Sequence, residues 1–152
     1  MKHFINFMEN RFIPVATKMS NNKVVRAVSG GSMTLMSIII VGAIFSLLNT
    51  INIPVYQEFL AATGLSALFA FVPGVTINAI GLYMVFFVAY QGSLIYGKKD
   101  GAVNTAILAL VSFLILIPLT EIMEEGAFQP IIYLNTSYIG SRGAFTAIIT
   151  GL

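Results

Sequence analysis

Val75-Thr-Ile-Asn-Ala-Ile-Gly-Leu-Tyr-Met-Val-Phe-Phe-Val-Ala-Tyr-Gln-Gly-Ser-Leu-Ile-Tyr96 decides the fold. It is apolar around the whole helical circumference, where a soluble helix keeps a polar face. The charge-free run it belongs to covers residues 59–97. A helix rises about 1.5 Å per residue, so roughly 20 residues cross a bilayer core of about 30 Å. Residues 75–96 meet that length, and Gly97-Lys-Lys-Asp-Gly101 ends the run with charge and turn residues. The stretch reads as a transmembrane helix around which the remaining helices pack.

Composition extends this reading to the whole chain. Hydrophobic residues make up 57% of 152 and charged residues 9%, against about a quarter charged in soluble domains. The expected fold class is all-α: a polytopic helical membrane protein with the lipid bilayer as its first partner. There is no cysteine, and the single histidine, His3, lies at the extreme N-terminus. Disulfide and thiolate chemistry are therefore excluded, and no cluster has metal-ligand spacing. Residues 1–152 offer no catalytic, substrate-binding or metal residue, and neither a cofactor nor a nucleic-acid partner is expected. No cleavable leader is expected, because the first apolar run is amphipathic and no small-residue cleavage site follows it.

At the N-terminus Phe4, Ile5, Met8, Phe12, Val15 and Met19 recur at helical spacing, with Lys2, Glu9, Arg11 and Lys18 off that stripe. This predicts an amphipathic helix over residues 3–19, lying along the membrane interface and kinked at Pro14. It reads as a lipid anchor rather than a docking surface for a cytoplasmic partner, because basic amphipathic stretches bind headgroups. Ser20-Asn-Asn22 supplies a turn and an N-cap. The first span follows over residues 27–48, with small residues at Gly30, Gly31, Ser32, Gly42 and Ser46. Gly42 and Ser46, four apart on one face, invite a neighbouring helix to approach closely. Gly30-Gly31 is no phosphate loop, since no Gly-Lys-Ser/Thr follows it.

Asn52 as N-cap, Pro54 in the first turn and Gly64 as a stop predict a short helix. Residues 65–72 then either run along the interface or enter the bilayer before Pro73-Gly74 breaks the chain. After the span at 75–96, a third is expected over 102–119, with Ala102/Ala106 and Thr105/Ala109 as small pairs and Pro118 at its far end. Residues 120–136 read as a loop, acidic at Glu121, Glu124 and Glu125 and broken at Gln129-Pro130 and Asn135. A solvated loop is preferred to a cation site, because nothing else there offers ligands. Residues 138–152 begin a fourth apolar helix. About 10 residues follow Arg142, roughly half of a crossing. The chain therefore reads as cut within an incomplete fourth span.

The basic residues set the expected orientation. Lys2, Arg11, Lys18, Lys23 and Arg26 precede the first span, and Lys98 and Lys99 join the second to the third. The opposite side holds Arg142 beside Glu58, Glu121, Glu124 and Glu125. The positive-inside rule makes the N-terminus and the lysine turn cytoplasmic.

In this order the pieces resemble the N-terminal part of enzyme IIC, the membrane permease subunit of the bacterial phosphotransferase system, in its lactose/cellobiose/diacetylchitobiose branch. The residues that carry the likeness are Ile13-Pro-Val-Ala-Thr-Lys18, Asn22-Lys-Val-Val-Arg-Ala27 and Gly42-Ala-Ile-Phe-Ser-Leu-Leu-Asn49. They continue with Ile53-Pro-Val-Tyr-Gln-Glu-Phe59 and Ile139-Gly-Ser-Arg-Gly-Ala-Phe-Thr-Ala-Ile148, the last close to the family's Leu-Gly-Ala-x-Gly-Leu-Phe-x-Ala-Ile. The resemblance implies a larger transporter in a bacterial plasma membrane, taking up sugar coupled to phosphorylation. Its implied partners are the other half of the permease, a second copy in the intact subunit, and the soluble subunits IIA and IIB. Sugar would be bound only by the intact protein. The family's sugar-contacting histidine and glutamate lie in its C-terminal half, and no residue here takes those roles.

Residues 1–152 are thus expected to be a permease fragment, inactive alone. The alternative is a small self-sufficient oligomeric four-helix membrane protein, an exporter or scaffold. Exporters of that kind need a buried carboxylate for proton coupling, and none of the spans has one. An intramembrane enzyme would need a base beside Ser37, Ser46, Ser93 or Ser112, and no His or Asp accompanies them. Asn78, Gln91 and Asn104 are expected to tie helices together rather than line a sugar path. Tyr83, Tyr90 and Tyr96 are aromatic candidates for sugar stacking, with Tyr96 better placed as an interfacial anchor.

Overall fold

The structure is a computed structural model and describes residues 2–122 and 131–152. Glu124, Glu125, Gln129 and Pro130 of the acidic loop lie outside the described residues. The chain is an all-α polytopic helical protein. Among the described residues three helical stretches, Lys23–Thr50, Leu65–Ile95 and Lys99–Leu116, are long and apolar enough to cross a membrane.

The N-terminal segment is helical in two parts, α1 (Lys2–Phe7) and α2 (Ile13–Ser20), joined by a π-helical turn at Met8–Phe12. The expected kink at Pro14 is replaced by this wider turn. The Ile13 N–H reaches back to the Met8 carbonyl, and Pro14 falls in the first turn of α2. There its missing N–H costs least. The apolar stripe is uncovered: Phe4, Phe12, Val15 and Met19 are all exposed.

Helix α3 (Lys23–Thr50) starts where the Asn22 side chain accepts the Val24 N–H at 2.9 Å. Its 28 residues span about 42 Å. Ala27, Gly31, Leu35 and Gly42 form its buried edge. Met33, Met36, Ile40 and Leu47 are exposed on the opposite side, a surface suited to lipid and not to water. The carbonyls at the end of a helix have no partners within it. Here the next helix, α4 (Pro54–Thr63), supplies them: Tyr56 Oη donates to Leu48 O at 2.9 Å, and Gln57 Nε2 to Ile51 O at 2.7 Å. The N-cap of α4 is Ile53 and not Asn52, because Ile53 holds the extended backbone (ψ 120°) that precedes Pro54. Gly64 ends α4 in the left-handed conformation, φ 73°, as its position predicts.

Helix α5 (Leu65–Val75) and helix α6 (Ile80–Ile95) return antiparallel to α3. Phe69 packs edge-on against Phe45 at 5.4 Å, so α5 lies against α3 and not apart from the bundle. Pro73-Gly74 does not end α5; the helix runs on to Val75. Lower down, a Cβ on Gly31 would come within 2.8 Å of the Val88 backbone nitrogen. The glycine therefore lets the backbones of α3 and α6 touch.

Helix α7 (Ala102–Leu116) is shorter than the expected 102–119. Ile117 precedes Pro118 and is extended (ψ 128°), which stops the helix one turn early. The expected loop is paired at its ends: β1 (Leu119–Ile122) runs antiparallel to β2 (Ile131–Leu134), with Leu119 opposite Leu134. The expected helix over 138–152 is confined to α8 (Ala144–Gly151). Residues ahead of it form single 3-10 turns at Thr136–Tyr138 and Ser141–Gly143, because Gly140 (ψ −147°) is far from helical. Val85 of α6, Phe113 of α7, Ala147 of α8 and Ile117 form a buried cluster between these helices.

Candidate functional site

The second membrane-length stretch is interrupted in its middle. At Thr76 the backbone turns to φ −107°, ψ −78°, re-forms as a 3-10 turn over Ile77–Ala79, and enters α6 at Ile80. One carbonyl freed by the break is satisfied locally: Tyr83 Oη reaches back to Val75 O at 2.8 Å. Thr76 Oγ1 donates to Val72 O at 2.7 Å, beside the Thr76 N–H that closes the last turn of α5.

The irregular segment before α8 docks on this break. The Leu82 N–H, in the first turn of α6, donates to Ile139 O at 3.2 Å. First-turn N–H groups have no intrahelical acceptor, so one break supplies what the other lacks. Two glycines make the approach possible. A Cβ on Gly81 would lie 2.6 Å from Ile139 O, and one on Gly140 would lie 2.7 Å from Asn78 O. Non-helical backbone within a membrane protein persists where protein or a water-lined cavity satisfies it, and here other parts of the chain supply partners.

A cleft of about 870 Å³ opens beside this seam. Its polar lining comes from Asn78, Tyr83, Thr136, Ser137, Ser141 and Arg142, set among Val75, Ile77 and Ile80. The volume falls within the range of about 300–1,000 Å³ typical of small-molecule sites. Among the described residues the polar groups lining it are hydroxyls, an amide and one guanidinium. Such a set can hydrogen-bond a neutral, hydroxyl-rich ligand or ordered water. Among the described residues no group of His, Cys, Asp and Glu could hold a metal ion.

Of the polar residues singled out in the sequence, Asn78 lines the cleft. Gln91 lies on the α3–α6 contact, where a Cβ on Gly30 would meet it at 3.3 Å. Asn104 is exposed on α7. Ser112 donates to Leu108 O in its own helix, and Ser93 to Lys98 O. Tyr83 lines the cleft, while Tyr96 carries the Lys23 ammonium over its ring at 4.7 Å. Thr136, Ser137, Ser141 and Arg142 were not legible as a site. Asn135, whose side chain accepts the Ser137 N–H, and the closely spaced Gly140 and Gly143 were the local signs of a turn there.

No protein-family model matches the chain. It is 28% identical over 152 residues to the lichenan permease IIC component of Bacillus subtilis (strain 168), covering 95% of this chain and 33% of that protein. It is 29% identical over 160 residues to the cellobiose-specific EIIC component of the phosphotransferase system (PTS) of Geobacillus stearothermophilus, covering 100% of this chain and 35% of that protein. Its backbone matches the crystal structure of the transporter ChbC, the IIC component from the N,N'-diacetylchitobiose-specific phosphotransferase system, with a TM-score of 0.79 and 28% identity, over 95% of this chain and 35% of ChbC. The chain thus spans about a third of the length of these relatives. It is similar, over nearly its whole length, to IIC components of sugar phosphotransferase systems.

Proposed function

We propose that residues 1–152 form the N-terminal part of a phosphotransferase-system sugar permease, a IIC component of the cellobiose/diacetylchitobiose/lactose type, and work only within the whole protein. The observation that carries this reading is the joint likeness of sequence and backbone to IIC transporters over nearly the whole chain. In the intact permease the bundle would pack against the other half and against a second copy. That assembly would bind the sugar and present it to the soluble subunits IIA and IIB.

The basic residues before α3 and at Lys98-Lys99 favour a cytoplasmic N-terminus in a bacterial plasma membrane. The polar cleft then faces the outer half of the bilayer, where incoming sugar would first meet the protein. The self-sufficient four-helix alternative is not favoured, since it does not account for the likeness to IIC components.

The test is a chimera in which residues 1–152 replace the matching segment of the G. stearothermophilus cellobiose component. It is produced in cells that keep the soluble subunits and lack their own permease. Accumulation of phosphorylated cellobiose supports the reading. A chimera that folds, inserts and takes up none overturns it. Uptake by residues 1–152 as the only membrane component would overturn the view that the segment needs the rest.

A further inference from the structure

The end of the bundle opposite the cleft holds a second set of polar features that the permease reading leaves unused. At the close of α6, Gly97 is left-handed (φ 81°), and the Lys98 N–H closes a 3.0 Å hydrogen bond to Ser93 O. Ser93 Oγ donates in turn to Lys98 O at 3.0 Å. Ser93 is only 7% exposed, a buried polar side chain spent on fixing one turn. The backbone of Lys98 is therefore held at both its N–H and its carbonyl, while its side chain stays exposed. From the other side, the Lys23 ammonium rests over the Tyr96 ring at 4.7 Å. That contact restrains a flexible cation. Arg26 follows one turn along α3, on the same side as Lys23. A crevice of about 200 Å³ lies here, its lining including the apolar Val24, Ala27 and Ala89 together with Ser93, Tyr96 and Lys98. Asp100 is the one carboxylate in the adjoining turn.

We propose that this end is a binding site for the headgroup of an anionic phospholipid. Lys23 and Lys98 contact the phosphodiester, Arg26 adds long-range attraction, and the acyl chains run along the apolar side chains of Val24, Ala27 and Ala89. Positioned cations above apolar surface match an amphiphile with a negative head. Basic pockets between membrane helices recognise such heads, each cation contributing modestly and additively. The features carry more than a topology signal, because topology needs charge alone. It does not need a buried serine that fixes one lysine or an aromatic ring that seats the other.

The test uses the full chain purified in detergent and placed in nanodiscs of phosphatidylglycerol mixed with phosphatidylcholine, with retained lipid read by native mass spectrometry. The wild type should retain phosphatidylglycerol selectively. Lys23→Gln and Lys98→Gln should each weaken retention about fivefold, and the pair about 25-fold. Lys23→Arg and Tyr96→Phe should retain it, and Ser93→Ala should weaken it while circular dichroism is unchanged. Lys18→Gln, on the interfacial helix, should have no effect. Equal retention of the two lipids, an equal loss from Lys18→Gln, or displacement by inorganic phosphate at millimolar concentration would each overturn the proposal.

Discussion

Gly42 on α3 and Thr76 at the break between α5 and α6 stand so close that a single methyl group at position 42 would collide with the threonine side chain. Thr76 cannot easily yield, because its hydroxyl is bonded to Val72 O. A backbone notch on one helix thus seats the interruption of its neighbour, whose flanking residues Val75 and Ile77 line the cleft.

Gly42→Ala should therefore lower stability by about 1–3 kcal/mol, the usual cost of overpacking. Gly42→Leu should leave little folded protein in detergent. Ile38→Leu, a half-buried change of equal volume on the same helix, should cost less than about 1.5 kcal/mol. Thermal unfolding and monodisperse yield measure all three, and equal yields of Gly42→Leu and Ile38→Leu would contradict this packing.

The hydrogen bond from Leu82 N–H to Ile139 O gives a local readout of the docked breaks. Amide exchange at Leu82 should be slow, although first-turn amides of a helix ordinarily exchange fast. Gly140→Ala pushes a methyl toward Asn78 O and should speed exchange at Leu82 while leaving Val88, in the helix interior, protected. Fast exchange at Leu82 in the wild type would show that the two segments are not joined.

Orientation can be read by cysteine labelling, since the chain has no native cysteine. In whole cells an impermeant maleimide should label Glu121→Cys, on the exposed strand β1, and spare Lys99→Cys until the cells are opened. The reverse pattern would invert the topology drawn from the basic residues.

Within the cellobiose chimera, Asn78→Leu and Arg142→Gln should raise the sugar concentration for half-maximal uptake several-fold, about the effect of losing one hydrogen bond to a ligand. Asn104→Leu, exposed on α7 away from the cleft, should leave it unchanged. Equal effects of all three would remove the cleft from the sugar route.

Much of this architecture is local and so is written in the sequence. A run without charge and of crossing length marks a segment for the bilayer, because the cost of burying charge is set residue by residue. Asn22 and Gly64 mark ends of α3 and α4 by their own side-chain and backbone properties. Helix α7 stops at Leu116, a turn short of the expected 119, because Pro118 restricts the residue before it.

What only the tertiary structure decided is where separated pieces of broken backbone satisfy one another. Residues 76–79 look like the first turn of one membrane helix, and residues 138–143 like the start of another. Neither shows that Leu82 donates to Ile139, or that Gly81 and Gly140 exist to let two backbones meet. Nor does either show that Asn78 and Arg142, 64 positions apart, line one cleft. Helix length and membrane burial follow from composition summed along the chain. The pairing of unsatisfied backbone groups across a bundle depends on which helices touch and at what height, and only the packed fold fixes that.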